Sequence, residues 1–273
     1  MRFLLLSLLI FIGLTSFGQQ SVKSAMVAFE MRDYDKVINI LSVEMEHPEK
    51  LKSKDRADGW YYLGKAKQNV IANAMSIQDR EALKKYMGYD LEAYAHFQKA
   101  LNEEQNEKIK GKITADMQSL SYVIFNSGNM QYLIGANEEA LQYYNVAQEI
   151  AEEYGMKSDY QVYLYKGQTQ LALGDSTNAH GNYNKTILRY NSQLPEVPDA
   201  NIGYAFYSKA VIERYGFDNI DQALATVQAG TTLLDKELTR LKTALSTGAS
   251  NAQLLITQEE QFAQVMDALT RFE

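Results

Sequence analysis

The chain has 273 residues, 46% of them hydrophobic, with 27 Lys and Arg against 34 Asp and Glu and a formal charge of −7 at pH 7. That size and apolar content support a buried core, and the absence of cysteine excludes both a disulfide framework and a thiolate metal site. The acidic balance argues against nucleic acid as a partner: phosphate binding needs clustered Lys and Arg, and Lys108, Lys110 and Lys112 read as a solvated helix face beside Glu107.

At the N-terminus, Arg2 precedes an apolar run from Phe3 to Leu14, and Thr15-Ser16-Phe17-Gly18 is a small-residue stretch before Gln19. Residues 1–18 therefore read as a secretory signal peptide, cleaved near Gly18. The run is about a dozen residues where roughly 20 are needed to span a bilayer, so no integral membrane segment is expected after cleavage. Removing Arg2 leaves 26 basic residues against 34 acidic ones, about −8 for the mature chain. No cysteine follows the apolar run, so the mature chain is not expected to be lipid-anchored. Export without disulfides and with a short n-region fits a Gram-negative periplasm best, with secretion as the alternative.

From residue 20 onward, three prolines and the lack of alternating apolar runs point to helix throughout. Arg32-Asp-Tyr34-Asp-Lys-Val37-Ile-Asn-Ile-Leu41 before Pro48 reads as a turn and second helix of a first hairpin. Trp60-Tyr-Tyr-Leu63-Gly64 followed by Ala93-x-x-x-Phe97-x-x-Ala100 gives the second. In the third and fourth, Gly128 to Ala140 and Gly167 to Ala179 are both twelve residues, and each landmark recurs after 39. Phe206-Tyr207-x-x-Ala210 and Ala223-x-x-x-Val227-x-x-Gly230 form a fifth, with an extra residue around Gly216 and with Asp218 and Asp221 available as caps. Small residues sit where helix backbones approach and bulky ones fill the gaps.

This residue order resembles the tetratricopeptide repeat (TPR), of exported bacterial, Bacteroidota-like type, over roughly residues 20 to 245. It departs in having Val37 for the family's Ala, Lys166 for its Leu and Thr186 for its later small Ala. The resemblance implies an all-α, right-handed α-solenoid of about five helix hairpins, with residues 19–273 as one repeat domain. It also implies a binding scaffold rather than an enzyme.

Two irregularities stand out. Gly64 to Ala93 is 29 residues instead of twelve, so the second hairpin carries about 17 extra around Val70 to Gly88. Periodic apolar residues there predict longer helices that protrude beyond their neighbours. Leu194-Pro195-Glu-Val-Pro198-Asp is the clear non-helical connection. After the fifth hairpin, leucines from Leu233 to Leu245 continue a helical pattern, and a last amphipathic helix at about 251–272 places Leu255, Phe262, Val265, Met266 and Leu269 on one side as a C-terminal cap.

No catalytic or metal motif emerges: His47, His96 and His180 lie far apart and read as surface or groove-edge residues, and no cofactor is implied. Residues one step round the first helices from Trp60 and Gly64 are expected to face a concave groove. These are Tyr61, Lys65 and Gln68; Tyr122, Phe125, Asn129 and Tyr132; and Leu164, Gln168 and Leu171. An aromatic and amide lining of that kind suits a protein or peptide partner. A carbohydrate- or peptidoglycan-binding module is the alternative, since aromatic rings also stack on sugars, and an enzyme with an unrecognised site comes third. The two-carboxylate clamp of chaperone-tail-binding TPRs is not matched, because Phe125 and Leu164 stand where it would need polar side chains.

Overall fold

The computed structural model describes residues 20–103, 107–154, 160–193, 195, 198–246 and 252–272, with the backbone alone for 252–256. The expected signal peptide falls outside the described residues. Among them, twelve helices and a single 3-10 turn follow one another, with no strand. The helices are α1 (residues 20–30), α2 (Tyr34–Glu44), α3 (Ser53–Ser76), α4 (Arg80–Lys85), α5 (Tyr89–Leu101) and α6 (Glu107–Leu133). Then come α7 (Asn137–Glu153), α8 (Tyr160–Ala172), α9 (Ser176–Gln193), α10 (Asn201–Val211), α11 (Ile220–Ser246) and α12 (Ala252–Thr270). They divide into two compact units, one of residues 1–127 and 149–156, the other of 128–148 and 157–273.

Five hairpins turn through a left-handed residue, four of them in the same way. Each first helix ends in a residue at positive φ: Arg32 (60°), Gln78 (54°), Gly135 (81°), Gly174 (81°) and Asp218 (52°). The first four close the same pair of hydrogen bonds. Asp33 N–H reaches the Ala28 carbonyl at 3.0 Å, and Asp79, Ala136 and Asp175 repeat that bond to Ala74, Gln131 and Gln170 at 3.0, 2.9 and 2.8 Å. This is the left-handed helix stop that leaves the chain free to reverse. In the fifth hairpin α10 passes into a π-helical turn, Ile212–Gly216, which absorbs the extra residue, and Asn219 N–H reaches one residue further back, to Glu213 O at 2.8 Å.

The residue after each left-handed position opens the second helix. Asp33, Asp79, Asp175 and Asn219 each accept from backbone N–H groups in the first turn, at 3.0 to 3.2 Å. Asn219, not Asp218 or Asp221, is therefore the cap of α11. Ala136 holds the same place before α7 without a side chain able to accept. Ala136→Asn is expected to stabilise the protein by about 0.5–2 kcal/mol, read as a higher urea midpoint at unchanged slope.

Within the hairpins a glycine on the first helix lies against an aromatic ring on the second. A Cβ on Gly64, Gly128 or Gly167 would meet Phe97 Cδ1 at 2.9 Å, Tyr144 Cε1 at 2.7 Å or Tyr183 Cε1 at 2.8 Å. All three rings are fully buried. In the fifth hairpin the roles are exchanged, and Gly230 of α11 faces Phe206 of α10, with 2.9 Å to its Cβ. Gly64→Ala adds roughly 1 kcal/mol of helix propensity, but its methyl also meets the Ala93 carbonyl oxygen at 3.0 Å, where backbone cannot yield. Overpacking of about 1–3 kcal/mol should win, giving a lower thermal midpoint.

The second hairpin departs from the protruding pair of long helices expected over Val70 to Gly88. α3 does run to Ser76, but its return strand of helix is broken into α4 and α5 at Gly88, whose φ is 88°. Tyr86, only 8% exposed, donates to both carboxylate oxygens of Asp35 at 2.9 and 3.0 Å, which ties the inserted turn back onto the first hairpin. In the second unit, α12 buries Phe262, Val265 and Leu269 against α10 and α11, with Val265 touching the Gly203 site, so it covers the apolar side of the fifth hairpin. Leu255, expected on the same side, has no described side chain.

Candidate functional site

The ten residues expected to line a groove divide between the units. In the first unit, α3 sends its three members into α6. Tyr61 Oη donates to Asp116 Oδ2 at 3.0 Å, Lys65 Nζ to Asp116 Oδ1 at 2.8 Å, and Gln68 Nε2 to Ser119 Oγ at 3.2 Å. Burial, then the Asp116 charge beside it, pushes the Tyr61 hydroxyl up from its ordinary value. Tyr61, Gln68 and Phe125 are buried, whereas Tyr122 is 68% exposed. In the second unit Leu164 is buried, Asn129 accepts from Tyr144 Oη at 2.8 Å, and Tyr132 meets Tyr165 edge-on at 6.3 Å. Gln168 and Leu171 are half-buried.

The expectation of an open groove on these residues is corrected for Tyr61, Gln68, Phe125 and Leu164. Their positions are covered by neighbouring helices, so they join elements instead of facing solvent. Tyr122 alone among the ten is freely exposed.

The surface that is open in the first unit lies elsewhere. Arg32 and Asp33 from the first hairpin's turn, Tyr34 and Asp35 from the start of α2, Val70, Asn73, Ala74 and Ile77 from the end of α3, and Asp79, Ala82 and Tyr86 from the inserted segment line a cleft of about 300 Å³. Of its apolar lining Val70 and Ala74 are buried and Ile77 is exposed, and Arg32, Asp33, Asp35 and Asp79 add charge. Asp33 and Asp79 are each held by cap hydrogen bonds through Oδ1. Asp35 is held by Tyr86 and by Lys85 Nζ at 3.4 Å, and that ammonium also lies 4.5 Å from the Tyr86 ring centre.

A helix hairpin repeated five times, four of them with one turn geometry, decides the class. The chain is an all-α helical-repeat protein. No family model matches it, and no curated protein sequence matches it. Among solved structures it is similar to BtubC (BKLC) from P. vanneervenii, with a TM-score of 0.42 and 12% identity over 94% of this chain and 88% of that one. It is also similar to a Rap protein complexed with competence and sporulation factor, with a TM-score of 0.30 and 14% identity over 91% of this chain and 75% of the other.

The histidines of this repeat protein do not share one environment. His47 is at the surface beside Glu49 at 3.4 Å, as expected. His96 instead stacks on Trp60, centroids 5.3 Å apart, and both its ring nitrogens are buried without a hydrogen bond. Desolvation, then Lys67 and Lys99, pushes its imidazole down to about 3. His180 Nε2 lies 2.9 Å from Glu213 Oε1 in a network that the sequence reading missed. Lys209 Nζ donates to Glu213 and to Thr226 Oγ1 at 2.6 and 2.8 Å, and Thr226 donates to the other Glu213 oxygen at 2.6 Å. Burial raises the Glu213 carboxyl, but the bonds from His180, Lys209 and Thr226 outweigh it and hold the group below its ordinary value. Lys209-x-x-x-Glu213 is a helix i, i+4 pair visible in the sequence, but such pairs are mostly solvated, and nothing marked this one as buried.

Among the described residues, no group of three or more His, Cys, Asp or Glu could hold a metal ion, and no helix is long and apolar enough to cross a membrane.

Proposed function

We propose that this protein is an exported, non-catalytic scaffold of tetratricopeptide type that holds a protein partner in the periplasm of a Bacteroidota-like cell. The observation that carries the reading is the insertion in the second hairpin. Four of the hairpins close without it, so packing does not require it, yet its residues are folded back to wall a cleft with the neighbouring turn. Conserving a hairpin's geometry while adding a wall is how a repeat array acquires a binding surface. Export is supported by the charge and apolar pattern of residues 1–18.

The test is affinity capture from envelope fractions, comparing the wild-type chain with a variant in which residues 80–87 are replaced by a short Gly-Ser link. A partner held by the wild type and lost by the variant, with helix content reduced by no more than the six residues of α4, is the expected result. A soluble mature protein beginning near Gln19 is expected from N-terminal sequencing; an intact Met1 or retention after a carbonate wash would overturn the localisation.

A further inference from the structure

We infer that the turn edge of the second unit docks a partner protein through an amphipathic helix, one with an apolar stripe and Lys or Arg on its flanks. The inference goes beyond the cleft in the first unit and does not depend on it.

One position recurs in every hairpin. The residue just before the left-handed one is Met31, Ile77, Ile134, Leu173 or Phe217, and these are exposed to between 41% and 75%. Each is large and apolar at a site where a polar side chain would cost the hairpin nothing. Singly exposed apolar residues are ordinary on a protein surface, but five at one structural position are not. In the second unit they gather neighbours: Leu133, 81% exposed, beside Ile134, and Tyr215 and Ile220 on either side of Phe217. Tyr132, next to Leu133, meets Tyr165 of α8, and the Phe217 ring lies 5.2 Å from that of His180 on α9. The third, fourth and fifth hairpins therefore succeed one another, and their turns form one edge.

Charge selects the occupant of that apolar edge. Residues 130–141, 170–180 and 214–224, which carry the three turns, hold five carboxylates (Glu138, Glu139, Asp175, Asp218 and Asp221) against Arg214 alone, a net of −4. Arg214 is itself turned onto Phe272, donating to its carbonyl at 2.9 Å. That balance repels a second copy of the same edge and an anionic lipid surface, and it attracts a cationic partner. Apolar side chains set among carboxylates match a helix with a leucine stripe and basic flanks. Spacing agrees. Packed helices lie roughly 8–10 Å apart, and seven residues of α-helix rise about 10.5 Å, so one helix can place an apolar residue on each turn at i, i+7 and i+14.

The experiment is fluorescence anisotropy of a fluorescein-labelled peptide, three tandem copies of Leu-Ala-Lys-Leu-Lys-Ala-Lys, titrated with the full mature chain. Binding that weakens with salt is expected. It should be at least about five-fold weaker for the Ile134→Ser/Leu173→Ser/Tyr215→Ser variant and for the Glu138→Gln/Glu139→Gln/Asp221→Asn variant. The same peptide with Glu for Lys, and one of equal composition with its leucines spread round the helix, should each lose at least about five-fold as well. All six substituted side chains are exposed, so both variants should melt as the wild type does. Equal binding by either variant, equal binding of either control peptide, or no binding at roughly 0.5 mM chain would overturn the inference. So would two other results. Dimerisation in analytical ultracentrifugation that the apolar variant abolishes would give the edge to a second copy, and sedimentation with phosphatidylethanolamine vesicles that the same variant abolishes would give it to lipid.

Discussion

Trp60→Ala is expected to cost about 3–5 kcal/mol of stability, among the largest effects of any single substitution in the first unit. Trp60 is 8% exposed near the start of the buried face of α3. One ring face lies on His96, 17° from parallel, and the Lys99 ammonium sits 4.3 Å from the ring centre. Truncation removes the largest apolar side chain at the α3·α5 contact and leaves a cavity walled by a rigid helix pair. It also exposes the unpartnered His96 nitrogens to whatever enters. For a chain of this length each 1 kcal/mol moves the midpoint by roughly 2–4 °C, so a fall of about 6–20 °C should be visible in a thermal melt. Trp60→Phe should recover more than half of the loss, because the stacking ring remains. A melt unchanged by Trp60→Ala would mean that Trp60 is not a wedge between α3 and α5.

The second large effect is acid sensitivity arising at His96. Its folded-state value of about 3 lies below the ordinary 6.5. Above pH 6.5 the imidazole is neutral whether the chain is folded or not, and it takes nothing from stability. As pH falls below 6.5 the unfolded chain binds a proton that the folded one refuses, so stability drops by up to about 1.4 kcal/mol per unit until the folded group titrates near pH 3. The loss from this one residue should reach about 2 kcal/mol at pH 5 and roughly 3–5 kcal/mol near pH 3.

His96→Phe is the control, since a ring of similar size can stack on Trp60 and leaves no polar atom unpaired. Urea unfolding at pH 7.5 and pH 5 should show the variant equal to or more stable than wild type at the higher pH and clearly ahead at the lower. If the gap between the two proteins does not widen on acidification, His96 is reached by water or by a partner that keeps its proton affinity ordinary.

Much of the architecture was legible in the residues themselves. The 39-residue recurrence of Gly128 and Ala140 at Gly167 and Ala179 marks two hairpins because a small residue is needed wherever a helix backbone meets an aromatic ring, and Tyr144 and Tyr183 are those rings. The surplus residue near Gly216 was visible as a spacing error and became a π-helical turn. The last amphipathic helix was readable from its leucine and phenylalanine stripe, because an uncovered hairpin needs such a lid.

What covers each face was decided only by the fold. Periodicity says which side of a helix leaves water, but Tyr61, Gln68, Phe125 and Leu164 carry the same residue types whether they line a groove or join two helices. Asp116 and Ser119, about 50 residues from their partners, settle that for Tyr61 and Gln68. Glu213, Lys209 and Thr226 look like surface residues in sequence because a buried charge is tolerable only when partners from distant helices satisfy it, and those partners meet through α9, α10 and α11 alone. The inserted segment read as an extension of both helices that would protrude, and it is instead a short helix folded back. Its direction depended on one contact, Tyr86 to Asp35, made between two hairpins by a hydroxyl and a carboxylate that local spacing cannot pair.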